Sequence, residues 1–226
     1  MDSSKLADRL RGILKTPGSR AEILPSEKAS PAIEEMLGGT WEGEDGRRAF
    51  VVERRAAPDE FCGRLMVREL ASRHARAGAS ATLLAPGPPG AKAPFVFLDL
   101  ETTGLGGGAG TYAFLVGLGR FDDAGGFVTR QYFLAGFAGE RALLAALSLE
   151  LADAGAIVSF NGKSFDAPVL DTRYLFHRLE NPVARLHHLD TLHSARRFWS
   201  DETATCALTT LEHKVLCARR RDDVPG

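Results

Sequence analysis

Asp99 and Glu101 close the run FVFLDLE, residues 95–101, and a two-residue spacing in a strand sets both carboxylates on one face. Two like charges so close raise each other's pKa and repel, and a hard divalent metal with oxygen ligands is the usual answer to that repulsion. The same spacing also suits an exposed strand end with both side chains in water, so the pair alone leaves both readings open. A third acid, Asp166, stands in SFNGKSFDAPVLDTRYL, where a buried strand ends at Phe160-Asn161 and a helix opens. An acid in a first helical turn is stabilised by the helix dipole, and capping by itself would account for it. If the strand before it lies beside the strand of Asp99, the three acids converge, and three convergent carboxylates are hard to explain without metal.

The glycines after Glu101 invite a different chemistry, because Gly104, Gly106 and Ala109 satisfy G-x-G-x-x-A behind a strand. That fingerprint must open a helix whose N-terminus receives a pyrophosphate, whereas TYAFLVGLGRF (111–121) has strand character and two carboxylates guard the turn. The dinucleotide reading is therefore rejected. The glycines are expected to serve a tight turn and a close backbone approach, or a flexible hairpin. His187 and His188 beside Asp190 read as a plain strand end, since no second histidine pair at ligand spacing supports a metal cluster.

The elements that must position these residues follow from hydrophobic periodicity. FVFLDLE, TYAFLVGLGRF and GFVTRQYFLA (126–135) predict three consecutive strands in an antiparallel meander. ERALLAALSLELADAG (140–155) has helical spacing with a glycine stop, and AIVSF (156–160) is a short apolar strand suited to parallel pairing. FDAPVLDTRYLFHRL (165–179) continues as helix, LHHLD (186–190) as a short strand, and TLHSARRFW and ALTTLEHKVL as further helix. Upstream, residues 3–15 predict an amphipathic helix, TWEGEDGRRAFVVERR two strands about Asp45-Gly46, and ELASRHARAGA a helix. The Pro/Gly-rich segment 83–94 reads as a linker, giving an N-terminal region 1–82 without legible function and a domain from 95 to 226.

Composition bounds the function classes. With 226 residues, 44% hydrophobic and 25% charged, the chain suits one medium globular domain plus an appendage, at roughly 100–200 residues per domain. The net charge of −1 announces no polyanionic partner, but residues 91–171 carry 5 basic and 9 acidic side chains and residues 172–226 carry 9 and 7. An acidic middle beside a basic tail suits cations at a centre and phosphates at its rim; it also suits plain solvated faces. Arg173, Arg185, Arg196, Arg197 and the run Arg219-Arg220-Arg221 are the candidate phosphate contacts. Cys62, Cys206 and Cys217 form no CxxC pair, and their odd number argues against a disulfide framework. No stretch approaches the roughly 18 apolar residues of a membrane span, and the N-terminus lacks a signal-peptide core, so a cytoplasmic location without membrane partner is expected.

FVFLDLETTGL resembles the first motif of the DEDD, or DnaQ-like, 3′–5′ exonuclease superfamily on the ribonuclease-H-like fold, and IVSFNGKSFDAPVL resembles its second. HLDTLHSARRFW, ALTTLEHKVL, RRRDDVPG and the glycine-rich GLGGGAGTYAFLVG resemble the YprB-type domain of that group, so the likeness runs from about residue 94 onward. It implies an α/β ribonuclease-H-like fold, a meander followed by alternating helices and parallel strands, behind a small N-terminal α+β region. It further implies that Asp99, Glu101 and Asp166 are catalytic and bind two Mg²⁺ or Mn²⁺ ions. Thr102, Thr103, Gly104 and Leu105 would hold the terminal nucleotide, Leu105 against its base or simply packed, and Asn161 would position substrate. The substrate implied is the 3′ end of single-stranded DNA or RNA; oligomeric state is not legible.

One departure from the pattern matters. Such enzymes carry a fourth Asp in an H-x-x-x-D or Y-x-x-x-D arrangement, and no histidine or tyrosine of this sequence has Asp four residues later. The expectation is a domain cut before its third motif, with Asp190 a structural neighbour of the site. Two other readings stay open: a nucleic-acid-binding module or pseudo-nuclease without the fourth Asp, and an interaction domain borrowing the fold.

Overall fold

The computed structural model describes residues 33–44, 47–77, 90–104 and 110–218, all within one compact unit spanning Ile33–Gly226. The architecture is α/β and ribonuclease-H-like, centred on a seven-stranded mixed sheet. In chain order the elements are α1 (Ile33–Leu37), β1 (Thr40–Glu42), β2 (Ala49–Ala56), β3 (Phe61–Cys62), β4 (Leu65–Met66) and α2 (Val67–Ala77). There follow β5 (Phe95–Thr102), β6 (Ala113–Phe121), β7 (Phe127–Phe133), α3 (Glu140–Glu150), β8 (Ala156–Ser159), α4 (Asp166–Phe176), β9 (His187–Asp190), α5 (Thr191–Trp199) and α6 (Leu208–Leu211), which runs into a π turn at Glu212–Leu216.

The sheet order is β1-β2-β7-β6-β5-β8-β9. The expected meander is there, β5 pairing antiparallel with β6 and β6 with β7. β8 then crosses back to lie parallel beside β5, Phe95 to Phe97 facing Ala156 to Val158, and β9 extends the parallel side. A crossover of this kind needs a helix, which α3 supplies. Val96, Leu98 and Leu100 of β5 enter the main core with Leu143, Leu144 and Leu147 of α3 and Val169, Leu170 and Tyr174 of α4. The alternate residues Phe95 and Phe97 take the other face, where the His74 ring of α2 packs 5.2 Å and 5.5 Å from them.

The sheet also crosses the expected domain boundary. β2 runs antiparallel to β7 from Phe50↔Phe133 to Ala56↔Phe127, and β1 pairs with β2, so residues 40–56 are edge strands of the same sheet. The Pro/Gly-rich composition of 83–94 marks a long connection between α2 and β5, not a division between cores. The reason is that β7 would otherwise present an open edge, and β2 covers it with a buried run Ala49 to Val52. The amphipathic helix expected over 3–15, the turn at Asp45-Gly46 and most of the 83–94 segment lie outside the described residues.

Candidate active site

The site grows from the C-terminal end of β5. Leu98 and Leu100 are buried while Asp99 and Glu101 are exposed, so the two carboxylates share one face of the strand, as their spacing requires. Because β8 is the parallel neighbour of β5, the loop leaving β8 runs over the same sheet end and delivers Asp166 there. Asp166 occupies the first residue of α4; the cap position is Phe165 and no side chain caps it, so helix capping is not what this acid does. Burial first, then the charges of Asp99, Asp190 and Glu101, push the Asp166 carboxyl up to about 7. The three sequence-selected acids therefore feel one another across the gap between two strands.

The loop between β8 and α4 is shaped by three features. Asn161 adopts a left-handed conformation with φ 68°, a region asparagine tolerates better than most residues. Its backbone N–H donates to Asp190 Oδ1 at 2.8 Å, and the N–H of Lys163 donates to Asp190 Oδ2 at 3.1 Å. A Cβ on Gly162 would stand 2.5 Å from Ser159 Oγ and 2.8 Å from Asp166 Oδ2, so only glycine lets the loop pass beneath the acid. Ser159 is held in turn by a 2.7 Å hydrogen bond with His188 Nε2.

Asp190 is buried, and it also caps α5 by accepting from the Leu192 N–H at 3.1 Å. Three main-chain donors thus engage its two oxygens. The nearby His188 is a half-buried partner of Ser159 rather than part of a histidine metal pair.

On the other side, the first-motif backbone forms a tight exchange. Thr103 N–H donates to the Tyr112 carbonyl at 3.0 Å, and Tyr112 N–H donates to Thr103 Oγ1 at 3.0 Å. The Thr102 hydroxyl donates to the Gly104 carbonyl at 3.1 Å. Among the described residues no atom stands within 4 Å of a Cβ placed on Gly104 or Gly110, so their packing does not demand glycine at either place. Leu105 and the glycines at 106–108 lie outside the described residues, as does the arginine run 219–221.

Arg173 corrects an expectation. It is not a phosphate contact: it is 1% exposed and grips Glu140 of α3, Nε to Oε1 at 2.6 Å and Nη2 to Oε2 at 2.5 Å. Only the partner thirty-three residues upstream makes that burial possible. Arg185 is exposed and pairs with Glu180.

Whether a divalent cation suits the acids turns on the donor set. Asp99, Glu101 and Asp166 offer oxygen only, the donor type that hard divalent cations take, and the Asp166 carboxyl, raised by burial and by neighbouring acids, is one that a cation would help to ionise. In donor chemistry they fit. Among the described residues no three His, Cys, Asp or Glu side chains are gathered into a ready-made ligating group.

Comparison with known proteins adds the lineage. Residues 96–226 match the sequence model of a family described as the RNase_H superfamily, RNase_H_2. The uncharacterized protein YprB of Bacillus subtilis (strain 168) is 35% identical over 202 residues, covering 80% of this chain and 46% of its own length. The chain thus spans about half the length of that curated relative. No helix among the described residues is long and apolar enough to cross a membrane.

Proposed function

This chain belongs to the RNase H superfamily, a family of nuclease domains, and from that premise we propose that it is a metal-dependent 3′–5′ exonuclease acting on single-stranded DNA or RNA. The observation that supports this reading is the placement of Asp166 at the start of α4, with its carboxyl raised first by burial and then by the charges of Asp99, Asp190 and Glu101. Asp99, Glu101 and Asp166 would hold Mg²⁺ or Mn²⁺. Such a cation, when bound, supplies Lewis acidity toward water and the phosphate and offsets charge on the leaving oxygen.

The remaining work falls to the chain itself. The backbone of Thr102, Thr103 and Gly104 receives the terminal nucleotide, and Leu105 is the residue that would meet its base. Asn161, whose backbone N–H is held by Asp190 in a left-handed conformation, positions the substrate. The Asp166 carboxyl, pushed up to about 7 by burial and by its acidic neighbours, takes up or releases a proton near neutrality as charge develops on substrate.

A second reading, a nucleic-acid-binding module without turnover, draws on Asp190. The spare carboxylate nearest the cluster spends both oxygens on backbone N–H groups, so it is not poised as a fourth ligand. One experiment separates the two: a 5′-labelled single-stranded oligonucleotide incubated with the chain and Mn²⁺, with and without EDTA. Stepwise shortening that stops with EDTA and in Asp166→Asn supports the exonuclease; retention of the label at full length with measurable binding supports the module.

A further inference from the structure

We propose that Arg173, acting through Tyr112, is a positioning residue that supports the substrate-holding turn after β5 from behind. The proposal rests on the exonuclease reading, since it assigns Thr102 to Gly104 their role there, and it concerns how that backbone is held.

The Arg173 guanidinium lies between two rings, 4.2 Å from the centroid of Tyr112 and 4.7 Å from that of Phe176. Glu140 fills its edge with two charge-assisted hydrogen bonds and also binds His177 Nε2 at 2.7 Å. A buried planar cation held against two rings and bound by the Glu140 carboxylate has little freedom, so the surface it offers Tyr112 is rigid. The far side of the Tyr112 ring meets Phe137, 4.6 Å away.

Tyr112 is thereby fixed, and its backbone exchanges two hydrogen bonds with Thr103, two residues past Glu101. Arg173 sits on α4, the helix whose first residue is Asp166. Seven residues of helix separate them, on the order of 10 Å at 1.5 Å per residue. One rigid helix thus carries the second-motif acid at its start and the support of the first-motif turn two turns on. The spacing between the two motifs is then set by α4. A buried charge pair is a costly way to pack a helix, and a geometric role accounts for placing one here.

The test uses Tyr112→Leu, which removes the ring while keeping the backbone, with Tyr112→Phe as the conservative variant and Phe176→Leu as the control on the outer ring. Hydrogen exchange of the Thr103 and Tyr112 amides is followed in the full chain, and KM and kcat are measured separately on a single-stranded oligonucleotide. Tyr112→Leu should speed exchange at both amides by about tenfold, as local opening does, with β8 and α3 amides unchanged. KM should rise about tenfold with kcat within about twofold, the signature of lost uniform binding. Tyr112→Phe, which keeps the ring but loses the hydroxyl that Arg173 also engages, should fall between the wild type and Tyr112→Leu, and Phe176→Leu should move both values less than Tyr112→Leu does. Unchanged loop amides, or equal acceleration throughout the chain, overturns the proposal. Absence of hydrolysis by the wild type sinks the exonuclease reading instead, and the exchange data still decide whether Tyr112 holds the turn.

Discussion

The carboxylate of Asp190 accepts the backbone N–H of Asn161 at 2.8 Å, tying the end of β9 to the loop that leads into Asp166. Together with the N–H groups of Lys163 and Leu192, this one side chain fastens the β8 loop and caps α5. Its burial is met by three main-chain donors, which satisfy a polar group that would otherwise be costly to bury.

Asp190→Ala should therefore destabilise the fold by about 2–4 kcal/mol, the range for losing a cap together with charge-assisted bonds to two further amides. Asp190→Asn keeps one acceptor and should cost less. Urea denaturation of the three proteins checks the order, and an Ala variant as stable as the wild type would show that the loop holds itself.

Asp166 should make stability depend on pH with a definite sign. Its folded-state carboxyl is raised from the usual 3.8 to about 7, so between those values the folded chain keeps a proton that the unfolded chain has released. Stability from this group is greatest at the acid end, falls as pH rises through that window, and is level above it. The stability of Asp166→Asn minus that of the wild type should then grow from pH 4 to pH 7. A difference that is flat with pH would mean that the Asp166 carboxyl is not raised in the folded chain.

Divalent cation should relieve the same repulsion. At 100 times the dissociation constant, Mg²⁺ or Mn²⁺ adds about 2.7 kcal/mol of stability, a rise in Tm of roughly 5–10 °C for a domain of this size. Asp99→Asn should remove most of that rise, and differential scanning fluorimetry reads it directly. An equal rise in Asp99→Asn would place the cation elsewhere.

Gly162→Ala should cost about 1–3 kcal/mol, because its Cβ meets Ser159 and Asp166 at distances no relaxed structure shows. Adding Ser159→Gly removes the Cβ and Oγ that collide and should recover part of the loss. If the double variant is no more stable than the sum of the single ones, the crowding at Ser159 is not the cause.

Glu140→Gln should be worse than either of these, at about 3–5 kcal/mol, since it strips the buried Arg173 charge of its counter-ion. The double change Glu140→Leu with Arg173→Met should be more stable than Glu140→Gln alone. Thermal unfolding of the two variants gives the comparison.

Much of this was already written in local sequence. The alternation at the end of FVFLDLE places Asp99 and Glu101 on one face because the pleat has period two, and no distant residue enters that argument. The meander, the helix after it and the short apolar strand before Asp166 are likewise readable from period and turn chemistry alone, and the choice of these three acids came from the same patterns. The tertiary structure alone decided what depends on partners far along the chain. Residues 40–56 look like a separate unit in the sequence, yet β2 lies on β7 because an exposed sheet edge seeks a strand from wherever one is available. Arg173 reads as a surface cation until Glu140 and Tyr112 are seen around it, and Asp190 reads as a spare acid until three amides converge on it. Periodicity reports which face a residue takes; only the packed chain reports who stands opposite, and a charge is buried or exposed according to that neighbour.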